Sequence, residues 1–117
     1  MTNPNDIVIV DAVRTAVGNF NGGLASFSGA QLGAEVIKAL MARNNVAAAD
    51  VNELIMGQAL TATTGQTPAR QAAILAGLAQ ESTAITINQV CGSGLRAVAE
   101  GMKSIRNGDS SIVIAGG

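Results

Sequence analysis

A chain of 117 residues that is 48% hydrophobic and 13% charged, with 21 alanines and 14 glycines, has room for one closely packed domain and is not a disordered segment. Its net charge of −1, with two Phe and neither Trp nor Tyr, provides no basic footprint and no stacking platforms, which argues against nucleic acid or an anionic membrane surface as a partner. A single cysteine excludes an internal disulfide, and the lack of histidine removes the commonest zinc ligand and general base, so no metal is expected and any imidazole must come from elsewhere.

Residues 7–13 (IVIVDAV) form a short β-branched run before a Gly- and Asn-rich stretch, and are expected to be a buried first strand. Its apolar part stops at Asp11, too short for a signal segment or a membrane span, so a cytoplasmic protein is expected. After Ser28, an N-cap residue type, Gly33, Val36, Ile37 and Leu40 fall at i, i+3, i+4 and i+7; this predicts an amphipathic helix ending at residues 43–45. Residues 53–57 (ELIMG) read as a second strand. Thr67-Pro68 then reads as N-cap and N1 of a short helix that stops at Gly77.

Residues 84–90 (AITINQV) read as a third strand and residues 92–106 as a helix with Leu95, Val98, Ala99, Met102 and Ile105 on its apolar face. Arg96, Glu100 and Lys103 alternate in sign on the opposite face. Asn107-Gly108 closes that helix, and residues 111–115 (SIVIA) read as a fourth strand. The expected class is α/β, in the order β-α-β-α-β-α-β, with a mostly parallel sheet and helices on both faces. Met56 and Met102 are expected to fill the core, and Arg14, Thr15 and the 65–71 stretch with Arg70 are expected to serve turns and caps.

The chemistry concentrates at residues 86–97 (TINQVCGSGLRA), where Cys91 stands between the carboxyl end of a strand and the amino end of a helix. Sites in parallel sheets form beyond the strands' carboxyl ends, and unpaired N–H groups with the helix dipole stabilise negative charge there. Gly92 and Gly94 would let the backbone turn and expose the sulfur, as glycines do around a nucleophile elbow, and the Cys91 N–H could hold an oxyanion. Two other readings stand beside this one. Cys91 could be a small buried hydrophobe. Residues 92–97 also match G-x-G-x-x-A, a dinucleotide fingerprint, although Gly116 and Gly117 stand where a ribose-binding acid would be needed.

Four segments together resemble the N-terminal part of a thiolase, most similar to the family's biosynthetic branch, which joins two acetyl-CoA molecules. They are residues 7–26 (IVIVDAVRTAVGNFNGGLAS), 53–78 (ELIMGQALTATTGQTPARQAAILAGL), 87–98 (INQVCGSGLRAV) and 112–117 (IVIAGG). Thr67 departs from that branch, which most often carries Asn there.

The resemblance implies that Cys91 is the catalytic nucleophile. It would take an acyl group from acyl-CoA and pass it to the carbanion of a second acetyl-CoA, giving acetoacetyl-CoA, or run the reverse thiolysis. It implies coenzyme A thioesters as substrates, no separate cofactor, and a homodimer or homotetramer. The histidine, second cysteine and Asn-containing oxyanion site of the family belong to later segments, so residues 1–117 are expected to be an incomplete N-terminal domain, inactive alone. The family's fifth strand, inserted between the first and fourth, is likewise expected to be missing. The rival expectation is a non-enzymatic truncated module that associates through its open sheet edges.

Overall fold

The computed structural model describes residues 3–117. Three helices and three strands alternate: α1 (Gly29–Asn44), β1 (Glu53–Gly57), α2 (Pro68–Ala76), β2 (Thr83–Ile87), α3 (Ser93–Asn107) and β3 (Val113–Gly116), with a short 3-10 turn at Ala48–Asp50. The sheet is parallel in the order β2-β1-β3, with Glu53 level with both Thr83 and Val113. Successive strands are therefore added first to one side of β1 and then to the other. The connection through α2 moves one place outward from β1, and the connection through α3 returns past β1 to its other side. Right-handed crossovers in opposite directions put α2 and α3 on opposite faces.

Alternation along the strands shows the two faces. Leu54, Met56, Ala84 and Ile114 pack into the core with Ala69, Ala72 and Ala73 of α2, and Ala30, Ala34 and Ile37 of α1. Toward α3, the Glu53 carboxylate accepts hydrogen bonds from the Ser104 and Ser110 hydroxyls at 2.7 and 3.3 Å. The α/β class, the parallel sheet and helices on both faces thus agree with the sequence reading. No helix among the described residues is long and apolar enough to cross a membrane.

Residues 7–13 correct that reading, because they form no strand. Val8, Ile9 and Val10 are 60%, 76% and 79% exposed. A β-branched run becomes a strand only where a neighbour supplies its hydrogen-bond ladder, and β2 and β3 already occupy both edges of β1. The resemblance implies an intervening strand before this run could join the sheet, and none of the described residues supplies one. The run is held instead by Asp11, whose carboxylate accepts hydrogen bonds from Asn44 at 2.9 Å and Arg43 at 3.1 Å. These bonds, with that of the Ala12 N–H, hold the Asp11 carboxyl below its ordinary pKa; the Asn44 contact is the largest cause.

Local signals set most helix ends. Ser28 and Gln31 form a reciprocal capping box, with the Gln31 N–H donating to the Ser28 hydroxyl and the Ser28 N–H donating to the Gln31 side chain. The buried stripe of α1 is Ala30, Gly33, Ala34 and Ile37, rotated from the expected one, and Val36 and Leu40 lie at its half-buried margin. A Cβ on Gly33 would approach that of Ala72 to 3.2 Å, so the small residues bring α1 and α2 into close contact.

Helix α3 overturns its predicted orientation. Its buried residues are Ser93, Ala97 and Gly101, whereas Leu95 is 79% exposed and Val98 and Met102 are also exposed. A Cβ on Gly101 would meet Val113 at 3.0 Å, so the helix lies too close to the sheet for large side chains between them. Met56 packs against the core as expected, but Met102 does not. On the charged side, Glu100 accepts from Arg96 at 2.6 Å and Lys103 at 2.9 Å; these two bonds, Lys103 foremost, lower its pKa.

Candidate active site

Cys91 is exposed at the junction between β2 and α3, which rules out the buried-hydrophobe reading. The loop that presents it, residues 88–92, is held from several sides. The Asn88 side chain accepts from the Val90 N–H at 2.8 Å and donates to the Ala59 carbonyl at 3.2 Å, joining this loop to the one after β1. The Gly92 N–H donates to the Gln89 carbonyl at 2.9 Å. Cys91 pairs with Gln89 in an isolated parallel bridge, which sets its backbone beside the start of α3.

The left-handed step of the turn falls on Val90, at φ 49°, and on neither Gly92 nor Gly94. This revises the part expected of those glycines. A Cβ on Gly92 would stand 3.3 Å from the Gln89 carbonyl oxygen, and one on Gly94 would reach ordinary contact with Gly117. Gly92 permits close approach of the Gln89 carbonyl, while a β-branched residue carries the unfavourable backbone conformation.

Ser93, the first residue of α3, is 4% exposed. Its hydroxyl accepts from the Gln89 N–H at 2.8 Å and donates to the Val90 carbonyl at 2.6 Å. Opposite it, a Cβ on Gly57 would stand 2.5 Å from the Ser93 Cβ, and one on Gly117 would stand 3.0 Å from the Gly94 Cα. The carboxyl ends of β1 and β3 thus lie directly against the first turn of α3.

Sequence reasoning placed Cys91, Gly92 and Gly94 together, as found, but missed Asn88, Val90, Ser93 and Gly57. Asn88 carried a readable signal, since Asx side chains commonly accept from the N–H two residues on. Arg14 stays apart from this site, with its guanidinium on the Thr15 carbonyl. Arg70 spans the connection from α2 to β2, donating to the Ser82 and Gln80 carbonyls at 2.7 and 3.3 Å. In the 65–71 stretch, the Gln71 amide ties down the Thr64 and Gln66 carbonyls.

An open depression of about 370 Å³ lies at the same end of the sheet, between Gln58, Thr61, Gly65, Thr67, Thr86 and Asn88. A larger groove of about 1320 Å³ runs between β2 and α3, past Ile85, Arg96 and Glu100, but Cys91 does not line it. Among the described residues, no group of three or more His, Cys, Asp or Glu side chains could hold a metal ion.

Comparison with known proteins places this arrangement. Residues 7–117 match the family described as thiolase, N-terminal domain. An acetyl-CoA acetyltransferase of Rhizobium meliloti (strain 1021) is 56% identical over 117 residues, covering 100% of this chain and 30% of that protein. One from Shinella zoogloeoides is 56% identical over 110 residues, covering 94% of this chain and 28% of the other. A solved Ascaris suum thiolase in complex with coenzyme A superposes with a TM-score of 0.86 at 36% identity, covering 88% of this chain and 27% of that one. The chain therefore spans about 30% of the length of the curated relatives it matches. A parallel β2-β1-β3 sheet, an exposed cysteine in the loop just before α3 and a family match over residues 7–117 agree, and the chain belongs to the thiolase family through its N-terminal domain.

Proposed function

We propose that this chain is the nucleophile-bearing part of an acetyl-CoA C-acetyltransferase, with Cys91 as its catalytic residue. The observation that carries the reading is the exposed Cys91 thiol at a strand-to-helix junction, between β2 and α3. The Cys91 sulfur attacks the thioester carbonyl of acetyl-CoA, the carbon–sulfur bond to coenzyme A breaks, and coenzyme A leaves as its thiol with the proton. The Cys91 N–H donates to the carbonyl oxygen as negative charge builds on it. The resulting acyl-enzyme is attacked by the α-carbanion of a second acetyl-CoA, which releases the Cys91 sulfur and forms acetoacetyl-CoA. Thiolysis is the same path in reverse.

The thiolase resemblance gives the activation of Cys91 to a histidine and the α-proton transfer to a second cysteine; residues 1–117 hold no histidine and one cysteine, so on this reading both groups come from outside them. On this reading the domain is incomplete by itself, uses coenzyme A thioesters without a further cofactor, and works in the cytoplasm as a homodimer or homotetramer. Gly92 supports the loop by leaving room for the Gln89 carbonyl, and Gly94 lies in contact with Gly117. The rival module reading draws on the outer edges of β2 and β3, which have no partner strand among the described residues.

The deciding experiment mixes the chain with acetyl-CoA and the part of the Rhizobium meliloti relative that the chain does not cover, and locates any acetyl group by peptide mass mapping. Acetylation of Cys91 is expected. Its absence, while the mixture forms a complex, overturns the enzyme reading.

A further inference from the structure

We propose that Ser93 is the positioning residue for Cys91, its buried hydroxyl holding the strained turn that presents the sulfur, with Gly57 providing the space in which it does so. The inference rests on the reading of Cys91 as nucleophile. Serine at a helix start normally caps the helix, accepting from N–H groups one turn ahead. The Ser93 hydroxyl does not, since it points back into the preceding loop, where it accepts from the Gln89 N–H at 2.8 Å and donates to the Val90 carbonyl at 2.6 Å. Both bonds fall on the two residues immediately before Cys91.

Those residues include the one that needs restraint. A β-branched side chain disfavours the left-handed backbone that Val90 adopts, and such a conformation persists only where surrounding contacts over-determine it. Asn88 holds the Val90 N–H at 2.8 Å, and Ser93 holds the Val90 carbonyl. Without the hydroxyl, Gln89 N–H loses its partner, and the Val90 carbonyl keeps only the longer bond from the Ser93 N–H at 3.3 Å. Val90 would then rotate out of the left-handed region, turning the Cys91 N–H and sulfur with it. Gly57 completes the device. A Cβ there would come within 2.5 Å of the Ser93 Cβ and 2.7 Å of its carbonyl carbon, and backbone atoms cannot yield as a flexible side chain would.

Because Cys91 is the chain's one cysteine, a thiol reagent reports on this site alone. The test measures the rate constant for iodoacetamide with the 117-residue chain, native and unfolded in urea, for the wild type and Ser93→Ala, alongside amide hydrogen exchange. In the wild type, the Gln89 amide is expected to be protected, and the native rate to differ from the unfolded one. In Ser93→Ala, the native-to-unfolded rate ratio should move toward one by about threefold or more, and Gln89 should exchange at least about tenfold faster, while the amides of β1 stay protected. An unprotected Gln89 amide in the wild type, an unchanged ratio in Ser93→Ala, or loss of β1 protection in that variant would each overturn the proposal. The last would make Ser93 a residue of the fold, with no special part in presenting the thiol. Neither readout requires acyl transfer, so absence of acetylation at Cys91 counts against the enzyme reading alone.

Discussion

The Thr86 hydroxyl accepts a hydrogen bond from the Ala69 N–H at 2.9 Å, so strand β2 caps helix α2 across 17 residues of sequence. Thr67, which directly precedes that helix, makes no side-chain cap bond and has a left-handed backbone at φ 39°. Thr86→Val keeps the shape of the side chain but leaves the Ala69 N–H without its partner. It should lower stability by about 1–2 kcal/mol in urea unfolding, whereas Thr67→Ala should change it by less than about 0.5 kcal/mol. Equal losses from the two would contradict this assignment of the cap.

Cys91→Ala, in the chain combined with the remainder of the relative, should abolish acetoacetyl-CoA thiolysis, because alanine offers no atom to carry the acyl group. Cys91→Ser should be nearly as damaging, since a hydroxyl is far less acidic than a thiol and a base suited to ionising Cys91 leaves it protonated. Turnover by either variant near the wild-type rate would remove Cys91 from the mechanism.

Asp11 should make stability sensitive to acid. Its carboxyl ionises at lower pH in the folded chain than in the unfolded one, so the ionised form favours folding. That contribution is present above the unfolded carboxylate's pKa, about 4, and is lost as pH falls through the lower folded value. Urea midpoints of wild type and Asp11→Asn should therefore differ at pH 7 and converge in acid. A gap that persists unchanged below pH 3, roughly one unit under that ordinary value, would show that the carboxylate's charge is not responsible.

The glycine pattern at residues 92–97 predicts nothing for dinucleotides. The fingerprint's ribose-binding acid is missing, since Gly116 and Gly117 stand at the end of the next strand. Calorimetric titration with NAD should show no binding. Micromolar affinity that disappears in Gly94→Leu would reverse that conclusion.

The chain by itself should neither turn over substrate nor stay monomeric. It has no histidine, and it exposes the outer edges of β2 and β3 together with Val8, Ile9 and Val10. Sedimentation should show association that increases with concentration, and a thiolysis assay should read background. An active monomer would contradict the reading of this domain as incomplete.

Where a feature depends on residues close in sequence, the sequence alone determined it. Ser28 and Gln31 complete a capping box within one turn, Gly77 and Gly108 adopt the left-handed conformation that ends α2 and α3, and residues 53–57 form a strand at the expected bounds. Cys91 falls between a strand and a helix for the same local reason. Tertiary structure decided whatever required a distant partner. Residues 7–13 have the composition of a strand but no ladder to join, and the Thr86 cap reaches α2 from another element. In α3, apolar periodicity favoured Leu95, Val98 and Met102, yet the helix buries Ser93, Ala97 and Gly101, because its separation from β1 and β3 admits only small side chains. That close approach also brings Ser93 against Gly57, so the support beneath Cys91 exists only once two elements 36 residues apart in the chain have packed together.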